Sequence, residues 1–252
     1  MKGPASAGPF CFVYVISMFQ VKKIALIISV VVCWEVACMK HNSNPVMAMG
    51  LPGKDSLKYL ALGDSYTIGE SVGVEDRYPN QLVRRLRGDS LFYKVPDIIA
   101  VTGWTTANLL AAMPDSASAP YDVVSLLIGV NNQYQHLSQQ EYRNQFTSLL
   151  QRAIPLAGNR PARVIVLSIP DYSATPFARG RNTAFIAAQI DSFNAINHEV
   201  AMTFHVRYVD VTEASRKAAN DPSLIAADSL HFSGKEYGIW AAMMAPVIKD
   251  LH

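Results

Sequence analysis

Four short stretches of the sequence carry residue types suited to acyl transfer. The first, Leu60-Ala61-Leu62-Gly63-Asp64-Ser65, ends an apolar run in a serine. At a strand-to-helix turn a serine hydroxyl is exposed for attack on a carbonyl, and its own N–H can point at the oxyanion that forms. A serine there also serves as a helix cap. The second, Val101-Thr102-Gly103-Trp104, offers a glycine whose N–H can approach a ligand with no side chain in the way, or which simply turns the chain. The third, Ile128-Gly129-Val130-Asn131-Asn132, presents two side-chain amides, neutral donors for an oxyanion and also common turn formers. The fourth is Asp228-Ser229-Leu230-His231. Three residues apart in a turn, the carboxylate can meet one ring nitrogen and leave the other free to take a proton from Ser65. Of the six histidines only His231 has a carboxylate at this spacing. His198 and His205 lie in or beside an amphipathic stretch and suit surface or core roles, while Ser233 and Glu236 have the spacing of a capping box for a helix after His231.

The elements that must position these groups follow from hydrophobic periodicity. Residues 58–63, 97–102, 122–128, 163–169 and 206–211 are short, rich in Val and Ile, and bounded by Gly, Pro or polar residues, which reads as five strands. Residues 79–87, 105–112, 138–157, 181–204 and 234–251 read as helices between and after them. Apolar strands without in–out alternation, separated by helices, predict an α/β fold: a three-layer α/β/α sandwich around a mostly parallel five-stranded sheet. In such a sheet, active groups gather beyond the carboxyl ends of the strands, where the first three stretches lie.

The joint order Ser, Gly, Asn, Asp-x-x-His resembles the SGNH hydrolase family, the GDSL-type lipases and esterases, over residues 57–250. The matching blocks are Gly63-Asp64-Ser65, Gly103, Gly129-Val130-Asn131 and Asp228-Ser229-Leu230-His231. The resemblance implies the flavodoxin-like SGNH fold and a serine ester hydrolase with Ser65 as nucleophile, His231 as base and Asp228 as its orienter. It implies an oxyanion hole made by the N–H groups of Ser65 and Gly103 and the Asn131 side chain. Two positions depart from the family pattern: Tyr66 replaces a leucine and Asn132 an aspartate. The first is expected to alter the pocket wall, the second to weaken loop anchoring while Asn131 stays. Thr67 stands where an α/β-hydrolase nucleophile elbow needs glycine. An acyltransferase using the same site and a non-catalytic surface binding module are the alternatives.

Composition narrows the rest. The 252 residues are half apolar with 17% charged, enough for one sizeable domain. The net charge is +2, but Lys2, Lys22 and Lys23 against Glu35 account for it, so the remainder is neutral and offers no footprint for nucleic acid. The expected partner is a small-molecule, glycan or lipid ester; Tyr66, Trp104, Tyr134 and Tyr172 are candidates to line its pocket. Cys11, Cys33 and Cys38 all precede the domain and no His-Glu-x-x-His run occurs, so no metal and no organic cofactor is expected.

Lys22-Lys23 followed by the apolar run 24–34 has the form of a signal peptide and is short for a bilayer span. Residues 1–38 are therefore read as a leader, 39–56 as a turn-rich linker and 57–252 as the catalytic domain. Val36-Ala37-Cys38 resembles a bacterial lipoprotein cleavage site, although Glu35 stands where an aliphatic residue is usual. The expectation is export to the periplasm or cell envelope with a lipid tether at Cys38; plain secretion and an uncleaved anchor are alternatives. Met18 is a second candidate start, since residues 1–17 add a separate apolar patch.

Overall fold

Five parallel strands carry the structure, a computed structural model that describes residues 56–115 and 120–252. They are β1 (Tyr59–Gly63), β2 (Asp97–Ala100), β3 (Val123–Leu127), β4 (Val164–Leu167) and β5 (Arg207–Val209). They lie in the order β2-β1-β3-β4-β5, every neighbouring pair parallel. Every residue of β1, β3 and β4 is buried, as strands covered on both faces require.

Among the described residues eight α-helices connect and follow them: α1 (Ser65–Ile68), α2 (Tyr78–Gly88), α3 (Thr106–Ala112), α4 (Val130–Tyr134), α5 (Gln139–Leu156), α6 (Thr183–Thr203), α7 (Thr212–Arg216) and α8 (Gly234–Lys249). Helix α2 packs on α8, α3 on α5, and α5 on α6, which supplies the outer layers of the expected sandwich. The core centres on large side chains that are fully buried, among them Trp240, Tyr59, Tyr78, Tyr142 and Phe146. Two buried tyrosines satisfy their hydroxyls on one partner: Ser125 Oγ lies 2.7 Å from Tyr59 Oη and 3.4 Å from Tyr78 Oη.

Strand register decides where the chemistry goes. Gly63 pairs with Ala100 on one side and with Leu127 on the other, so β1, β2 and β3 end side by side. From β1 the chain passes to β2 on one flank and then to β3 on the other, the topological switch point at which such sheets open a crevice. Gly63 is required there: a Cβ would strike the Leu127 carbonyl and the Thr67 hydroxyl. Strand β1 ends where predicted, and the other four stop one or two residues short of the predicted ends because the chain leaves the ladder to deliver its loops. The leader, including Cys38, and all but Ser56 of the linker lie outside the described residues. No helix among the described residues is long and apolar enough to cross a membrane.

Candidate active site

Ser65 opens α1, but it does not cap it. Asp64 is the N-cap, its carboxylate accepting from the Tyr66 N–H at 3.1 Å, so the Ser65 hydroxyl is not spent on the helix. Asp64 is fully buried, and burial pushes its carboxyl up to about 7. The helix ends after one turn at Gly69, in the left-handed conformation with φ 68°.

The loops after β2 and β3 meet beside it. Gly103 has φ 85° and no atom within 4 Å of where a Cβ would stand, so its backbone faces open space. Gly129, with φ 134°, caps α4, where a Cβ would come within 2.8 Å of Tyr142 and 2.7 Å of Ile169. That tight turn sets Asn131 on the first turn of α4. Asn131 donates one amide hydrogen to the Trp104 carbonyl at 2.9 Å and keeps the other. Trp104 thus serves through its carbonyl, and its ring is not a wall of the cavity, contrary to the expectation from sequence. Asn132, 1% exposed, accepts from the Thr106 N–H at 3.0 Å and donates to Thr106 Oγ1 at 2.7 Å. The Thr106 hydroxyl proton is then free to pass on to Gln145 Oε1, 2.5 Å away. The amide at 132 therefore anchors the loop at both ends, where a carboxylate would have offered acceptors alone.

The fourth stretch supplies an ordered pair. Asp228 Oδ2 lies 2.5 Å from His231 Nδ1, while Oδ1 accepts from the backbone N–H groups of Leu230 at 3.0 Å and His231 at 2.9 Å. Ser229 between them has φ 66°, the left-handed turn that folds the tetrapeptide back on itself. A fourth donor was invisible in the sequence: Ser71 Oγ donates to the same Oδ2 at 2.6 Å. Burial pushes the Asp228 carboxyl up, but the Ser71 hydroxyl, the His231 ring and the two backbone donors outweigh it and hold it well below the usual carboxylate range. Of the predicted capping box, half forms. Ser233 accepts from the Glu236 N–H at 3.5 Å, but Glu236 turns to Trp240 Nε1 at 2.7 Å instead of reaching back. His198 packs edge-on against Tyr208 at 4.7 Å, away from this chemistry.

Ser65, Gly103, Asn131 and His231 line one cavity of about 190 Å³. Tyr66, Tyr134 and Tyr172 are among its walls, as expected, joined by Phe177. Tyr66 also packs its ring edge-on against His231 at 5.7 Å. A second hollow of about 360 Å³ shares Tyr134 and Tyr172 with the first and reaches Arg181, whose guanidinium stacks 4.4 Å above the Phe177 ring. The wall carrying Tyr172 is pinned from behind: Asp171, 1% exposed, is held by Arg216 at 2.9 Å and caps Ser173. Among the described residues no group of three or more His, Cys, Asp or Glu is placed to hold a metal ion.

The sequence profile of the GDSL-like lipase/acylhydrolase family matches residues 61–239. No curated protein matches the sequence. Among solved structures the chain is similar to TesA, at 19% identity and a TM-score of 0.61, over 77% of this chain and 99% of that one. It is also similar to a lipase/acylhydrolase from Enterococcus faecalis, at 19% and 0.59 over 77% and 96%. A third likeness is to Axe2, an acetylxylan esterase from Geobacillus stearothermophilus, at 19% and 0.54 over 76% and 94%. At these identities the likeness speaks to the fold.

Proposed function

The chain belongs to the GDSL-like lipase/acylhydrolase family and is an ester hydrolase, and from that premise we propose that it works through an acyl-enzyme on Ser65. His231, its Nδ1 proton engaged by Asp228, takes the Ser65 proton at Nε2 as Oγ attacks the ester carbonyl. The oxyanion receives the N–H groups of Ser65 and Gly103 and the unspent amide hydrogen of Asn131. Collapse of this intermediate returns the proton to the leaving alcohol. Water, deprotonated by His231, then attacks the acyl-enzyme and frees the acid and Ser65.

One observation carries the proposal: the 2.5 Å contact between Asp228 and His231 stands at the cavity that Ser65, Gly103 and Asn131 also line. Intact-mass spectrometry after incubation with a fluorophosphonate is the test. A single adduct that disappears in Ser65→Ala is expected; no adduct on folded wild-type protein would overturn the reading and favour a binding module.

For substrate we propose a short- to medium-chain carboxylic ester, with an O-acylated sugar favoured over a lysophospholipid. The support is the wall of Tyr134, Tyr172 and Phe177 beside stacked Arg181, since aromatic faces and planar polar groups suit a hydroxylated ring. Rates that rise steadily from acetyl to dodecanoyl nitrophenyl esters, with no release of acetate from acetylated xylan, would reverse that order. Export and lipidation at Cys38 are proposed on the leader sequence alone; fatty-acid labelling of cells that persists in Cys38→Ala would refute them.

A further inference from the structure

The three residues that leave α1, Gly69-Glu70-Ser71, reach both sides of the cavity. Glu70 Oε2 accepts from Thr102 Oγ1 at 2.5 Å, on the loop that carries Gly103. Ser71 donates to Asp228 at 2.6 Å, on the loop that carries His231. The Glu70 N–H itself returns to the Ser65 carbonyl at 2.9 Å. One short segment therefore ties together the turns that bear the nucleophile, the oxyanion glycine and the base.

Its backbone is bent to do so. Gly69 and Ser71 have φ 68° and 65°, two left-handed residues within three, and Ser71 is not a glycine. Such a conformation persists where surrounding contacts impose it, and it clusters at functional sites. Gly69 cannot be replaced, since a Cβ would strike Arg77.

We infer that Ser71 and Glu70 are positioning residues of the proposed hydrolysis: Ser71 shares the Asp228 oxygen that orients the base, and Glu70 fixes the loop of the oxyanion glycine. The inference rests on the acyl-enzyme reading above. Oδ2 divides its negative charge between two donors, the Ser71 hydroxyl and the His231 ring. Without Ser71 the whole of that charge falls on the ring, and the imidazolium is held more tightly. The other titratable groups facing the pair are the phenols of Tyr66 on α1 and Tyr237 on α8, both pushed up by burial and uncharged, and the carboxylate of Glu70.

The test is a 15N NMR titration of the His231 imidazole, beside the pH profile of kcat/KM, in wild type, Ser71→Ala, Ser71→Gly and Thr102→Val. Glycine removes the hydroxyl while relaxing the left-handed backbone, which separates the hydrogen bond from strain. Both Ser71 variants should move the imidazole titration and the acid limb of the profile up by about 0.5–1 pH unit, a hydrogen bond to a charged group moderated by partial solvent exposure. On the acid side of the limb kcat/KM should fall about 3- to 10-fold, and on its alkaline side it should be unchanged. Thr102→Val cuts the Glu70 contact without changing charge, and should lower kcat by a similar factor with the limb in place. An unmoved imidazole titration in both folded Ser71 variants would overturn the Ser71 role, and unchanged kcat in Thr102→Val the Glu70 role. Because the NMR readout does not need turnover, a wild type inert toward esters would sink the hydrolase reading separately.

Discussion

Replacing Asp228 by asparagine tests the proposed mechanism most sharply, because the exchange keeps the shape and turns one acceptor into a donor. Asp228 receives four donors: two backbone N–H groups on Oδ1, and the His231 ring and Ser71 hydroxyl on Oδ2. An asparagine keeps its oxygen toward the two backbone donors and places its NH2 against His231 Nδ1. That nitrogen must then accept, the ring proton moves to Nε2, and the base faces Ser65 with no lone pair. The expected loss in kcat is about 10⁴-fold, or about 5 kcal/mol, with KM nearly unchanged. Hydrolysis of a nitrophenyl ester measures it, with Ser65→Ala and the double variant as background; those two should be equally slow and slower than Asp228→Asn, since the residues act as a unit and the orienting carboxylate costs least when removed alone. Asp228→Asn within about 10-fold of wild type would refute the assignment of the base pair. Stability gives a second readout. The Asp228 carboxyl is held below its ordinary range, so it stabilises the fold at neutral pH, and that contribution is lost as pH falls below about 4. The difference in urea midpoint between wild type and Asp228→Asn should therefore be present at pH 7 and shrink toward pH 3.

Asn131→Ala should fold normally yet lose about 10²–10³-fold in kcat, and near-wild-type turnover would remove Asn131 from the oxyanion site. Gly129→Ala forces a side chain into a left-handed turn against Tyr142 and Ile169, and should destabilise by about 2–4 kcal/mol in urea unfolding; an unchanged midpoint would contradict that packing. Asp64 has the opposite sign to Asp228. With its folded value raised to about 7, the buried carboxyl keeps a proton that the unfolded chain releases near pH 4, so wild-type stability falls as pH rises from 4 to 7. Asp64→Asn retains the cap and should lose that slope, seen by comparing urea midpoints at pH 5 and pH 8; identical slopes would place the ionised carboxylate in the folded state.

Strands β1, β3 and β4 were legible because they are buried on both faces, where nearly every residue must be apolar; the edge strands β2 and β5 are partly exposed and showed through their Ile and Val content, and strand ends were less legible because loops begin under no such constraint. Helices α2, α3, α5, α6 and α8 follow the apolar periodicity closely. Helices α1, α4 and α7, of four or five residues, are too short to show a period and depend on caps such as Asp64 and Gly129. Ser65, Gly103, Asn131, Asp228 and His231 could be named from residue type and order, and the fold brings four of them to one cavity with Asp228 bonded to His231. Ser71, Glu70 and Thr102 could not. Each acts through a single side-chain contact across the sheet edge, set by a left-handed backbone that leaves no pattern in residue spacing. The Asn132 anchor and the Trp104 carbonyl are of the same kind: their partners, Thr106 and Asn131, become neighbours only after β2 and β3 have flanked β1.

The distribution of the site over four loops also fixes when the protein can first act. Ser65 follows the earliest strand, whereas His231 lies between the last strand and α8, and α8 must dock on α2 to hold that turn. During synthesis, a chain that has reached β4 carries Ser65, the proposed nucleophile, but not yet His231, the proposed base. Under the proposed mechanism, ester turnover is therefore confined to chains whose synthesis and folding have reached past His231.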